Sequence, residues 1–111
     1  MTNIDLSYLK SVTDGDEELI KELVDIFKTQ VPEYLVEFNE AFEQKDTDAL
    51  SKIAHKSKSS VAIMGLSELA NKLSELEGKA KDGDFSEDFR TYITDFEKQC
   101  NEAIVELDSM F

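Results

Sequence analysis

Apolar side chains recur at intervals of three and four residues along most of this 111-residue chain. Between Glu17 and Gln44 the residues that recur in this way are Leu19, Leu23, Phe27, Val31, Leu35, Phe38 and Phe42. This spacing is typical of one face of an α-helix, and alternation with a period of two is not sustained anywhere. Since only four glycines and one proline interrupt the pattern, we predict an all-α fold of long helices joined by short turns.

The same periodicity predicts five helices. They are expected at 4–12, about 17–44, about 48–64, from 67 to near 82–83, and in a last segment that follows the capping-box-like sequence 84–87. Four long segments with short connections predict an up-and-down antiparallel four-helix bundle, with the short first helix, which starts at Ile4, over one end. A chain of this length can bury one core, so residues 1–111 are expected to form a single domain.

Several residues are predicted to begin, end or interrupt these helices. The acids of the turn 13–16 can cap the second helix, Asp46 or Thr47 can cap the third, and Ser67 can cap the fourth. Gly65 suits the C-terminal end of the third helix. Pro32 stands inside the second helix, where we expect a kink or a break.

The charge of the chain limits its partners and its location. With 25 acidic against 12 basic residues the formal net charge is −13, which disfavours binding to nucleic acid or to an anionic membrane surface. A single cysteine, Cys100, excludes an internal disulfide and a structural zinc site. The first residues show neither the basic nor the apolar stretch of a secretion signal, so we expect a cytoplasmic protein.

His55, the one histidine of the chain, lies in the predicted third helix. At about 100° per residue, the residues that share an arc facing the core are Leu50, Ile53, Val61 and Met64. His55 falls on the opposite, outward face, and the residues that share this face are Lys52, Lys58, Ser59 and Ala62. We therefore expect an exposed imidazole bordered by cations and small side chains.

A basic window surrounds this histidine in an otherwise acidic chain. Residues 49–67 contain no Asp or Glu but include Lys52, Lys56 and Lys58, which leaves nine basic against 25 acidic residues elsewhere. A neutral imidazole is nucleophilic near pH 7, and a phosphoryl group in transfer needs positive charge near its oxygens. A lone exposed histidine is most often just a solvated residue, and for Lys52 and Lys56 a simply solvated face explains the pattern equally well.

The sequence His55-Lys56-Ser57-Lys58-Ser59-Ser60, followed by Gly65, Leu69 and Leu76-Glu77, resembles the histidine-containing phosphotransfer (HPt) family of multistep phosphorelays. The resemblance extends upstream through Phe27, Pro32, Leu35, Asp46, Leu50 and Ala54. It implies that His55 is phosphorylated, that Lys58 is its electrostatic partner, and that Gly65 lets the neighbouring helix pack closely.

Two positions depart from the family pattern. Ser59 stands where the family usually has glycine, on the face of the helix that a partner must approach. Because serine is small, we expect that a partner can still dock there. Ser57 replaces a customary leucine and points into the core arc, so its hydroxyl is expected to donate to the carbonyl of Ile53.

The resemblance also implies the partners, namely response-regulator receiver domains and a hybrid sensor histidine kinase. The receiver is expected to supply the magnesium ion, while this chain is expected to have no cofactor, no metal and no nucleotide-binding motif, and so to be a phosphocarrier and not an enzyme. The residues expected to contact a partner are Lys52, Lys56, Ser59, Ala62 and Leu66. We expect the protein to be a monomer.

Two other functions are compatible with a helical bundle. The same surface could bind a receiver or a kinase without being phosphorylated, as a pure interaction module. A carboxylate-bridged di-iron enzyme would need paired Glu-x-x-His motifs, whereas the residues expected around His55 are Ala49, Lys52 and Lys58 and not carboxylates. The sequence therefore disfavours the metalloenzyme and leaves the interaction module open.

Overall fold

The computed structural model describes residues 5–110. Its helices are Ser7–Val12 (α1), Glu17–Glu43 (α2), Thr47–Ile63 (α3), Ser67–Lys81 (α4) and Phe89–Met110 (α5), with no strand in this range. The all-α prediction is therefore confirmed, and the helix bounds differ from the expected ones by one or a few residues. Ile4, the expected start of the first helix, lies outside the described residues.

The four long helices form a closed bundle. α2 packs against α3 and α5, and α4 packs against the same two helices, so each long helix has two neighbours. Short connections between successive helices give the up-and-down order that the sequence predicted. α1 adds the fully buried Leu9 to the core, and the backbone N–H of Asp5 donates to the carbonyl of Gly65 at the end of α3.

The buried side of α2 is rotated slightly from the predicted stripe. Its buried residues are Ile20, Val24, Phe27, Val31, Tyr34, Phe38 and Ala41. These follow a regular repeat of three and four, which keeps the stripe facing the bundle along the whole helix. Leu19, by contrast, is 39% exposed, and Leu23, Leu35 and Phe42 are only partly buried at the edge of the core.

Aspartates begin two of the long helices. The carboxylate of Asp16 accepts from the backbone N–H of Glu18 at 3.0 Å, and that of Asp46 accepts from Ala49 at 3.0 Å. Asp46, and not Thr47, is therefore the N-cap of α3. The predicted cap at Ser67 is wrong, because Ser67 is the first residue of α4 and no side chain caps this helix.

Pro32 lies inside α2, and the helix continues through it without interruption. The expected break is therefore absent, and the alternative of a kink stays a prediction. None of the helices within residues 5–110 combines the length and apolar character needed to span a lipid bilayer.

Candidate functional site

His55 projects from the outward face of α3, and 67% of its side chain is exposed. The four residues predicted to face the core, Leu50, Ile53, Val61 and Met64, are all buried. The helical periodicity therefore placed the imidazole correctly. Its ring is open to solvent.

Glu77 of α4 joins this imidazole to Lys58. One carboxylate oxygen, Oε2, lies 3.0 Å from Nδ1 of His55, and the other, Oε1, lies 3.0 Å from Nζ of Lys58. Only 15% of the Glu77 side chain is exposed, and Nζ of Lys81 approaches Oε2 at 4.0 Å. The histidine and the expected lysine are thus connected through one shared carboxylate.

The backbone of Glu77 is tied to α3 as well. The hydroxyl of Ser51, one helical turn before His55, donates to the backbone carbonyl of Glu77 at 3.3 Å. Ser51 is buried, so this bond lies at the α3–α4 interface. It joins the two helices at the level where the Glu77 side chain meets the imidazole.

The charge of Glu77 determines which imidazole nitrogen is free. The hydrogen bond from Lys58, helped by its charge and by His55, lowers the pKa of Glu77 despite burial, so the carboxylate is anionic at neutral pH. An anionic carboxylate can only accept hydrogen bonds. Nδ1 of a neutral His55 therefore carries the proton and donates it to Oε2, which leaves the lone pair on Nε2.

The other two lysines near His55 are also paired with acids. Nζ of Lys52 lies 3.1 Å from Asp48, and Nζ of Lys56 lies 3.1 Å from Glu37 of α2. The acid-free window in the sequence is therefore not an acid-free surface. The expectation that no carboxylate adjoins His55 is likewise wrong, because Glu77 reaches it from another helix.

Ser59 and Ala62 are exposed on the same side of α3 as predicted, but Leu66 is not. Leu66 is 2% exposed and belongs to the core, so its assignment to an exposed docking rim is wrong. Gly65, with φ of +79°, ends α3 in a Schellman motif: its N–H donates to Ala62, and the N–H of Leu66 donates to Val61. This motif turns the chain inward, so the helical wheel of α3 does not apply to Leu66.

Gly65 also permits a close approach of the chain, as the resemblance implied, but the segment that approaches is the one before α1. A Cβ at position 65 would overlap the backbone of Asp5. Ser57 is fully buried, and its hydroxyl donates to the carbonyl of Ile53 at 2.8 Å, which confirms the predicted bond.

This helical bundle presents an exposed imidazole. One nitrogen of the ring is hydrogen-bonded to a carboxylate, and a lysine pairs with the same carboxylate. Such an imidazole can carry a phosphoryl group on its other nitrogen. The fold and this site define a histidine phosphocarrier.

Comparison with known proteins agrees with this class. The family model of the Hpt domain matches residues 22–109, and the chain belongs to this family. The structure is similar to that of histidine-containing phosphotransfer protein B (HptB) from Pseudomonas aeruginosa, with a TM-score of 0.87 and 25% sequence identity over 97% of this chain and 93% of that one. No curated protein matches the chain. The protein has a histidine phosphotransfer role in phosphorelays, as a carrier and not a catalyst, and its family interacts with receiver domains and kinases.

Proposed function

We propose that His55 is the residue that carries the phosphoryl group, and that it accepts the group on Nε2. His55 is the one histidine in the sequence, and its side chain is 67% exposed. The observation on which the proposal depends is the 3.0 Å contact between Nδ1 and Glu77, because it occupies one nitrogen and leaves the other free to attack.

The donor is the phosphoaspartate of a receiver domain. The lone pair of Nε2 attacks phosphorus in line with the leaving oxygen, the N–P bond forms, and the P–O bond to the aspartate breaks. Lys58 has three N–H donors, of which Glu77 takes one, so the others can reach the oxygens of the transferred group. The reaction then runs in reverse onto the aspartate of a second receiver.

The surface around His55 is proposed to contact the partner through Lys52, Lys56, Ser59 and Ala62. Ser59 and Ala62 are small and exposed, which lets a receiver come close to the imidazole. Lys56 is held by Glu37, and its Nζ lies 6.0 Å from the centroid of the Tyr34 ring, so it is positioned before a partner arrives. The partners proposed are response-regulator receiver domains and a hybrid sensor histidine kinase.

We propose further that residues 1–111 act as one domain, as a monomer in the cytoplasm. The described long helices complete one core within a single chain, and a net charge of −13 opposes association of two copies. Cys100 is buried as a free thiol, which suits a reducing compartment.

The test is transfer of label from phosphorylated receivers to the protein. The wild type is expected to acquire acid-labile, base-stable label on residue 55, and His55→Gln is expected to acquire none while it still binds the receiver. Failure of every cognate receiver to label the wild type would contradict the proposal. If binding persists without label, and His55→Gln leaves signalling unchanged, the chain is an interaction module instead.

A further inference from the structure

Given His55 as the phosphorylated residue, we propose that Glu77 is a positioning residue that keeps the proton on Nδ1 after Nε2 has been phosphorylated. In this role Glu77 keeps the phosphohistidine ready to give its phosphoryl group away at neutral pH. The proposal goes beyond orientation of the ring, because it assigns a function to the negative charge of the side chain.

The chemistry explains why this proton matters. When Nε2 attacks the phosphoaspartate, the electron pair of the broken P–O bond leaves with the aspartate carboxylate, and the Nδ1 proton stays, so the phosphorylated ring is a cation. In the return step an aspartate oxygen attacks phosphorus, and the electron pair of the P–N bond returns to Nε2, which gives a neutral imidazole. Without the Nδ1 proton the leaving group would be an imidazolate anion, which is a much poorer one.

The charged groups around the ring show that Glu77 is placed for this task. Among residues 5–110, no other carboxylate contacts His55, while the ammonium groups of Lys58 and Lys81 both lie within 4.0 Å of the Glu77 carboxylate. The remaining charges near this face form separate pairs, between Lys52 and Asp48 on α3 and between Lys56 and Glu37 of α2. The equilibrium between the protonated and the deprotonated Nδ1 is therefore set mainly by the negative charge of Glu77, which the positive charge of Lys58 offsets in part.

A carboxylate differs here from a neutral hydrogen-bond acceptor. An amide oxygen could accept the same bond from Nδ1, but only a negative charge favours the cationic ring over the neutral one. At this partly exposed site the effect is expected to be about one pH unit, at the low end of the range for an opposite charge at this distance. Glu77→Gln separates the two roles, since it keeps an acceptor and removes the charge.

The experiment uses the full chain phosphorylated with phosphoramidate. The midpoint at which the phosphorylated ring loses its proton is measured by ³¹P NMR, and the rate of transfer to a receiver domain is measured across the same pH range. We expect the midpoint of Glu77→Gln to lie about one pH unit below that of the wild type. Above both midpoints the variant should donate about tenfold more slowly, and below both the rates should converge.

Two further variants test whether the charge of Glu77 is the cause. Glu75→Gln removes the same charge from α4 at a residue that accepts from the Tyr92 hydroxyl, and it should leave the midpoint unchanged. Glu77→Gln also releases Lys58, so Lys58→Met is needed as well. In the Lys58→Met background no lysine is left to be released, so Glu77→Gln should still lower the midpoint there by about one pH unit, whereas an effect that arises from release of Lys58 would disappear.

The outcomes separate this inference from the function on which it rests. Coinciding midpoints for wild type and Glu77→Gln, or a midpoint that Glu77→Gln lowers only when Lys58 is present, would overturn the role of Glu77 and leave His55 as the carrier. A wild type that takes no label on residue 55 would contradict the proposed function itself.

Discussion

Nζ of Lys58 lies 3.0 Å from Oε1 of Glu77, so the cation expected to assist phosphotransfer is already paired with an acid of the neighbouring helix. This pair joins α3 to α4 directly beside the imidazole. A lysine held in this way loses less conformational freedom when a phosphoryl group arrives than a freely moving one would.

Lys58→Met should slow phosphotransfer in both directions. The Lys58 side chain is 31% exposed, so its charge is partly screened, and we expect a loss of roughly tenfold, below the loss found for a fully buried donor. Rapid-quench measurement with a phosphorylated receiver would give the rate. Lys21→Met removes an equally charged, exposed residue from α2 and should have no effect. Equal rates for wild type and Lys58→Met would exclude the proposed role.

The stability contributed by Glu77 should depend on pH. The hydrogen bond from Lys58 lowers the pKa of Glu77 below its ordinary value of 4.5, with further help from the charges of Lys58 and His55. A carboxyl whose pKa is lowered on folding stabilises the protein above the ordinary value, and this contribution is lost as the pH falls through the lowered pKa.

We therefore expect the difference in free energy of unfolding between wild type and Glu77→Gln to be present in full above pH 4.5 and to shrink as the pH falls through the lowered pKa. Urea denaturation at a series of pH values would measure it. Because both proteins share all other acids, the comparison cancels the relief of the overall negative charge. A difference that stays constant down to acidic pH would show that Glu77 acts by packing alone.

The fold could be predicted because it depends on local periodicity, whereas the site depends on contacts between helices. The outward position of His55 follows from the spacing within α3 alone. Glu77 lies 22 residues further along the chain, on another helix, so its contact with His55 was not predictable from spacing. The resemblance included Glu77 in a motif but assigned it no role.

Leu66 and the lysines near His55 show two other limits of prediction from the sequence alone. Leu66 was placed on the His55 face by continuing the helical wheel of α3 past Gly65, where the positive φ ends the helix. The window without acidic residues was defined along the sequence only. Glu37, which pairs with Lys56, reaches that surface from α2. Both errors arise because neighbours in space are not neighbours in sequence.

Ser57 tests how tightly the core behind His55 is packed. It is fully buried, and its hydroxyl is satisfied by the carbonyl of Ile53. Ser57→Leu would introduce the residue that the family usually has, but here it would overpack the site and should cost about 1–3 kcal/mol. Ser57→Ala should change stability by less than about 1 kcal/mol, because that carbonyl keeps its helical bond.

Urea denaturation measures both changes at position 57, and Ser59→Leu serves as the control at an exposed position of the same helix. A Ser57→Leu variant as stable as the wild type would mean that unfilled space remains behind α3.

Three glycines allow the cost of backbone conformation to be separated from the cost of a clash. Gly78 lies within α4, does not have a positive φ and has open space around it, so Gly78→Ala should stabilise the protein by about 0.5–1 kcal/mol. Gly83 has φ of +84° and open space, so Gly83→Ala should cost about 1–2 kcal/mol from the backbone alone. Gly65 has a similar φ but meets the backbone of Asp5, so Gly65→Ala should cost more than Gly83→Ala. Chemical denaturation of the three variants would give the order of their stabilities. A Gly65→Ala variant no less stable than Gly83→Ala would show that the segment before α1 can move away from a side chain at position 65 at little cost in free energy.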